Sequence, residues 1–134
     1  MLSIFPQLLS FTLLGIFLIR IIIGLVIFYI AYQMAFTKRE KLIKKLELAK
    51  HPFSKSSVVI VGFSTLISSS FLIVGFLTQI SSIVSGYLLL NIMMLDSGKE
   101  KILGQTKLFY ITISIICLSF LFLGAGFFAV DLPL

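Results

Sequence analysis

Charged side chains are absent from residues 56–95. As one α-helix this stretch would be about 60 Å long, about twice the thickness of the hydrocarbon core of a bilayer. Two further apolar runs flank it, at residues 8–36 and 108–130, and Arg20 is the one charged side chain in either of them. The pattern predicts four membrane-crossing helices, the middle two formed by one run that folds back on itself.

Polar and turn-forming residues set the predicted boundaries. The reversal in the long run is placed at Thr78-Gln79, and Asp96-Ser97-Gly98-Lys99 is expected to form the turn after the third crossing. The chain is then an all-α membrane protein with one domain, residues 1–134, whose four transmembrane helices form an antiparallel bundle. The predicted helices are residues 8–36, 57–77, 80–95 and 107–128, and residues 37–55 form a basic loop.

The basic loop has its own helical pattern. Leu42, Ile43 and Leu46 fall on one face of a helix over residues 38–51. We expect a short amphipathic helix between the first and second crossings, with this face on the membrane and lysines toward anionic lipid head groups. The alternative is a solvated continuation of the first helix. The basic residues assigned to the membrane surface are Lys38, Arg39, Lys41, Lys44 and Lys45.

Charge then fixes an orientation. The chain is 59% hydrophobic with a net charge of +6, and ten of its eleven basic residues lie in two loops, seven in residues 38–55 and three in residues 99–107. Four crossings put both loops on one side. Because Lys and Arg favour the cytoplasmic side, we expect cytoplasmic basic loops and both termini outside. The same clustering argues against nucleic acid as a partner.

Polar residues inside the crossings are the candidate site. Helical rise places Arg20 near the middle of the bilayer, with Asn91 at similar depth, and an arginine there costs a few kcal/mol unless it is paired or hydrated. Stripes of small residues such as Gly24 and Gly62 predict the packed faces. We assign a polar centre whose role is either structural or the anchoring of an anionic or quinone-like ligand. Its members are Arg20, Thr65, Ser69 and Asn91.

Catalytic chemistry has little support in the sequence. No histidine lies in a crossing to activate a serine, and the single cysteine, Cys117, lies in an apolar run without a partner for metal or redox spacing. The lone His51 lies in the basic loop. We therefore expect a protein that is not an enzyme, with no metal site and with no cofactor identified by a motif.

Three segments resemble the DoxX family of small four-helix bacterial membrane proteins. Arg20 followed by Gly24-Leu25 is similar to the family's arginine-containing opening, and residues 71–79, FLIVGFLTQ, are similar to its leucine-rich second crossing. The tail at residues 124–131, GAGFFAVD, resembles the closing family motif through Gly124, Gly126 and Asp131. There are departures, since Thr65 stands where the family commonly has a glutamate and Gln79 stands where a basic residue is usual.

The resemblance implies a multi-pass protein of a bacterial-type cell (inner) membrane, loosely associated with redox and stress functions. We expect a non-catalytic accessory or anchoring subunit of a redox or oxidative-stress-related membrane complex. Its partners would be the lipid bilayer, anionic head groups and proteins of that complex, and a homo-oligomer stays open. One alternative is a quinone or lipid binding or transport protein with a cavity around Arg20, and another is a quinone-linked oxidoreductase subunit.

Overall fold

The computed structural model describes residues 12–48, 54–96 and 101–123. These ranges contain helix α1 (Thr12–Tyr32), a π-helical turn (Gln33–Thr37), and helices α2 (Arg39–Leu48), α3 (Ser54–Val74), α4 (Thr78–Leu95) and α5 (Lys107–Leu123). The prediction of an all-helical protein is confirmed over the described residues. A short helix does lie between the first two long ones, as the pattern of the basic loop indicated.

Three helical segments are long and apolar enough to cross a membrane. They are Leu14–Thr37, Lys55–Val74 and Thr78–Leu95, with 24, 20 and 18 residues. At 1.5 Å per residue their lengths are about 36, 30 and 27 Å, close to the thickness of the hydrocarbon core. Helix α5 is apolar but shorter, with 17 residues up to the last described position. Length and composition thus indicate a membrane protein.

The outer surface of the described helices is rich in large apolar residues, whereas many small and hydroxyl-bearing residues lie inside beside an apolar core. Ile22, Ile60 and Ile115 keep about 60% of their surface exposed (59%, 63% and 62%). Gly24 and Gly62, which were predicted to lie on packed faces, are buried. Other buried residues on these helices include Arg20, Ala31, Ala35, Thr65, Ser68, Ser69, Ser114 and Cys117. An outer surface with so many exposed apolar side chains suits contact with acyl chains.

Glycines and alanines let the helices approach closely. A Cβ atom on Gly24 would lie 2.6 Å from Ile73 Cγ1, and one on Gly62 would lie 3.5 Å from Ala35 Cα. The middle of α1 therefore contacts the end of α3, and the segment after α1 contacts the first half of α3. Further along the chain, α3 packs on α4 and α4 packs on α5. Close backbone contact supplies the van der Waals attraction that replaces the hydrophobic effect between helices in lipid.

The reversal between α3 and α4 lies at Gly75-Phe76-Leu77, three positions before the Thr78-Gln79 that we predicted. Gly75 (φ 78°) and Leu77 (φ 47°) both have left-handed backbone conformations. The N–H groups of Gly75 and Phe76 both donate to the carbonyl of Phe71, at 2.9 and 3.0 Å, and close the end of α3. The backbone freedom of Gly75 decides the position of the turn, and Thr78 begins α4.

The prediction that α2 lies on the membrane through Leu42 and Leu46 was wrong. Leu42 is fully buried and Leu46 is 6% exposed, in the same apolar cluster as Val58 and Leu103. Ile43, only partly buried, packs against that cluster. Helix α2 folds under the bundle because the start of α3 and the segment before α5 offer it an apolar surface. Residues 49–51 of the predicted helix lie outside the described range.

Candidate functional site

Arg20 is a fully buried charged residue at the place where α1 meets the α3–α4 reversal. Its guanidinium lies directly against Gly75, where a Cβ atom would be 2.6 Å from Nη1 and 2.8 Å from Cζ. On its other side, Cζ lies 5.4 Å from the centroid of the Phe17 ring, within the range of a cation–π contact. Glycine is therefore needed at position 75 for two reasons. The positive φ disfavours other residues, and the Arg20 guanidinium occupies the space of a Cβ atom.

Arg20 lies at one end of the contact between α1 and the α3–α4 hairpin. Its guanidinium is level with the α3–α4 reversal, at the end of two helices of membrane-spanning length. Helix α1 extends beyond the reversal, since Thr12 precedes Arg20 by more than two turns. The depth near the middle of the bilayer that the sequence indicates for Arg20 stays a prediction.

The structure does not bring the four predicted members of the polar centre together. Thr65 donates to Val61 O at 2.6 Å and Ser69 donates to Leu66 O at 3.0 Å, each within its own helix. Helical rise puts them about 15 and 9 Å from Gly75 along α3. Asn91 donates to Tyr87 O at 2.9 Å, about 20 Å from the start of α4. These three hydroxyl and amide groups satisfy themselves on helix carbonyls.

A serine cluster joins α3 to α4, and its members lie outside the predicted polar centre. Ser68 donates to Ser81 O at 3.0 Å and shares a hydrogen bond with the Ser85 hydroxyl at 2.8 Å. All three residues are buried. The spacing of Ser81 and Ser85, four residues apart on one helix face, was the available signal. The cluster fixes the α3–α4 contact by hydrogen bonds that lipid does not compete for.

Asp96 forms a second polar cluster at the other end of the helices. Its carboxylate is buried (3% exposed) and accepts hydrogen bonds from the N–H groups of Ile102 at 2.8 Å and Leu103 at 3.3 Å. Lys45 Nζ lies 3.7 Å from Oδ1 and donates to the backbone oxygen of Asp96 at 3.2 Å. One residue thus connects α2, the end of α4 and the segment that leads to α5.

Sequence reasoning treated Asp96 as a turn residue and Lys45 as a membrane-surface residue. The structure turns Lys45 inward, and its side chain is 21% exposed. Arg39, Lys41 and Lys44 are exposed, and Lys38 is half-buried. The signal for the pair was the position of Asp96, an acidic residue directly after an uncharged run and close to a basic loop.

Two of the cavities in the described bundle are large enough or polar enough to concern function. One, of about 730 Å³, lies between the π-helical turn, α2 and the start of α3, and we name it the basic cleft. Its lining residues are Ala35, Phe36, Thr37, Arg39, Glu40, Lys41, Ile43 and Lys55. The other, of about 300 Å³, is apolar and lies between α3 and α4. It is lined by Ser64, Ile67, Ser68, Phe71, Leu77, Ile80, Ser81 and Val84.

The tail residues Gly124, Gly126 and Asp131 lie outside the described residues. Within residues 12–48, 54–96 and 101–123, no group of three or more His, Cys, Asp or Glu side chains is placed to hold a metal ion. Comparison with known proteins finds no matching family, no matching curated protein and no matching solved structure.

The contact between Arg20 and Gly75 gives a matched pair of variants. Gly104 has nearly the same backbone conformation as Gly75 (φ 77° and 78°) but nothing within 4 Å of an added Cβ. Gly104→Ala should cost about 1–2 kcal/mol for the left-handed backbone alone. Gly75→Ala should cost about 1–3 kcal/mol more, because it also displaces Arg20. Thermal unfolding in detergent measures both, and equal losses would contradict the contact.

The Asp96 cluster predicts that its charge is needed for stability. Asp96→Asn keeps one acceptor but turns N–H donors toward the donors of Ile102, Leu103 and Lys45, and should cost about 1–3 kcal/mol. Glu47→Gln is the control, since Glu47 lies 4.0 Å from Lys55 in an exposed pair. That change should alter stability by less than about 0.5 kcal/mol. Unfolding temperatures in the same detergent compare the two, and an unchanged Asp96→Asn would refute the role.

Proposed function

We propose that this chain is a four-crossing membrane protein that acts as a non-catalytic anchoring subunit of a membrane complex. In this proposal helices α1, α3 and α4 provide three crossings, and α5 provides the fourth. Support comes from the packing of α5 against α4, where Ser114 donates to Gly86 O at 3.2 Å. Contacts in the reverse order along successive helices favour an antiparallel bundle, and Lys and Arg at one end favour a cytoplasmic location for that end.

The observation that carries the anchoring role is the packing of Arg20. Its guanidinium is enclosed between the backbone of Gly75 and the ring of Phe17, and it contributes to holding α1 on the α3–α4 hairpin. An arginine used in this way favours a structural role over a ligand anchor. The apolar outer surface and the exposed basic side chains of α2 then provide the surfaces for partners.

The redox association is a proposal that rests on the resemblance to the DoxX family. In that proposal the redox chemistry belongs to the partner, and this chain positions the partner at a bacterial-type cell membrane. In the alternative, the chain is a subunit of a quinone-linked oxidoreductase and contacts the quinone itself.

A second candidate function is the binding or transport of a small apolar molecule, such as a quinone or lipid. The apolar cavity between α3 and α4 supports it, because about 300 Å³ lined mostly by apolar side chains suits an apolar molecule. This location differs from the cavity around Arg20 that the sequence suggested.

The topology is testable with single cysteines at Lys44, Gln79, Lys101 and Asp131. The native Cys117 is buried and should not react with a membrane-impermeant maleimide. In intact cells we expect labelling at Gln79 and Asp131, and labelling at Lys44 and Lys101 only after permeabilisation. Labelling of Asp131 on the same side as Lys101 would leave three crossings and contradict the proposal.

The anchoring role is testable by affinity purification of the tagged chain in mild detergent. We expect a redox protein to co-purify in a fixed ratio. Arg20→Ala should lower the unfolding temperature, because it leaves a void beside Gly75, and partner recovery should fall only with the folded fraction. Lys101→Ala, a change at an exposed residue outside α2, should alter neither quantity. Arg20→Lys keeps the charge but loses the planar fork, so it should be intermediate.

Two outcomes would overturn this assignment. Purification of the chain alone in several mild detergents would remove the anchoring role. A folded Arg20→Ala protein that has lost a bound quinone or lipid would instead assign Arg20 to a ligand site.

A further inference from the structure

We propose that the basic cleft binds the head group of an anionic glycerophospholipid, with the phosphate at the basic rim and one acyl chain on the aromatic face of α1 and α3. The inference rests on the proposed membrane function and deepens it by naming a lipid and a site. The cleft lies where two helices of spanning length meet α2, as expected for a site at the boundary between acyl chains and water.

Charge at the rim fits a phosphate. Arg39, Lys41 and Lys55 line the cleft, and Glu40 is the single acidic side chain among the lining residues. Lys55 also lies 4.0 Å from Glu47, but both side chains are exposed, so water and salt weaken that pair. The guanidinium of Arg39 can donate two parallel hydrogen bonds to phosphate oxygens, and the lysines add positive charge.

The inner wall of the cleft fits an apolar chain. Ala35, Phe36 and Ile43 form this wall, and Phe36 keeps 56% of its surface exposed. The Phe36 ring contacts Tyr32 at 5.2 Å and Phe63 at 5.8 Å between centroids, so an exposed aromatic column continues from the cleft along α1 and α3. Aromatic side chains are enriched at this level of membrane proteins.

The π-helical turn opens the cleft. Lys38 N–H donates to Gln33 O at 2.7 Å, five residues back, so the turn holds one more residue than an α-helical turn. Met34 and Ala35 are buried by this turn, whereas Phe36 and Thr37 face outward. The volume of about 730 Å³ lies within the usual range of ligand sites. A widened turn, a basic rim and an apolar wall together favour a lipid over a free anion.

The test compares two double variants that remove the same charge. Arg39→Gln/Lys55→Gln alters the cleft, and Lys44→Gln/Lys101→Gln alters exposed lysines that do not line it. Each purified protein is mixed with equal amounts of phosphatidylglycerol and phosphatidylcholine of identical acyl chains, and native mass spectrometry counts the bound lipids. We expect the unaltered chain and the control to retain one phosphatidylglycerol, and the cleft variant to bind it at least about 10-fold more weakly.

Two competitors separate the sources of phosphate. Excess inorganic phosphate and glycerol phosphate should not displace the lipid, because neither contacts Phe36 and Ile43. Displacement by either competitor in that excess would make the cleft a soluble-anion site and overturn the proposal. Equal losses in the two double variants, or equal retention of phosphatidylcholine, would also overturn it. The assay contains no protein partner, so its failure is distinct from a failure of the anchoring role.

Discussion

Hydrocarbon offers no hydrogen-bonding partner, and the polar side chains of this protein are arranged accordingly. The hydroxyl groups of Thr65 and Ser69 turn back to carbonyls of their own helix, and those of Ser68 and Ser114 cross to a neighbouring one. An unsatisfied polar group in this setting costs several kcal/mol. The polar side chains must therefore face the interior, the apolar side chains face outward, and small residues let the backbones meet.

Two contacts of charged residues, at opposite ends of the bundle, fix the relative positions of helices that apolar packing alone would let slide. Arg20 against Gly75 fixes α1 on the reversal between α3 and α4. Asp96 with Lys45 fixes α2 against the end of α4 and the segment leading to α5. The middle of the bundle depends on glycines, alanines and serines. This division leaves α2 as part of the folded bundle, with Arg39, Lys41 and Lys44 exposed and Lys45 turned inward.

The sequence predicts the helices well because lipid imposes a simple rule on length and charge. The uncharged run of residues 56–95 had to be a hairpin, and the buried positions of Gly24 and Gly62 followed from the pattern of small residues. The turn was misplaced because Thr78 and Gln79 are polar, while Gly75 acts through its backbone conformation. The contact of Arg20 with Gly75 and the inward direction of Lys45 depend on which segments are neighbours, and the spacing of residues on one helix carries no such information.

The packing of Gly75 against Arg20 has a consequence for the biogenesis of the protein. Gly75 follows Arg20 in the chain by a whole crossing, the basic loop and a second crossing, so it is synthesised much later. While only the first helix is in the membrane, the guanidinium has no reversal to pack against and must reach the head-group region with its long side chain. The guanidinium can pack against Gly75 only after the α3–α4 hairpin has been synthesised, so this contact is a late step in assembly.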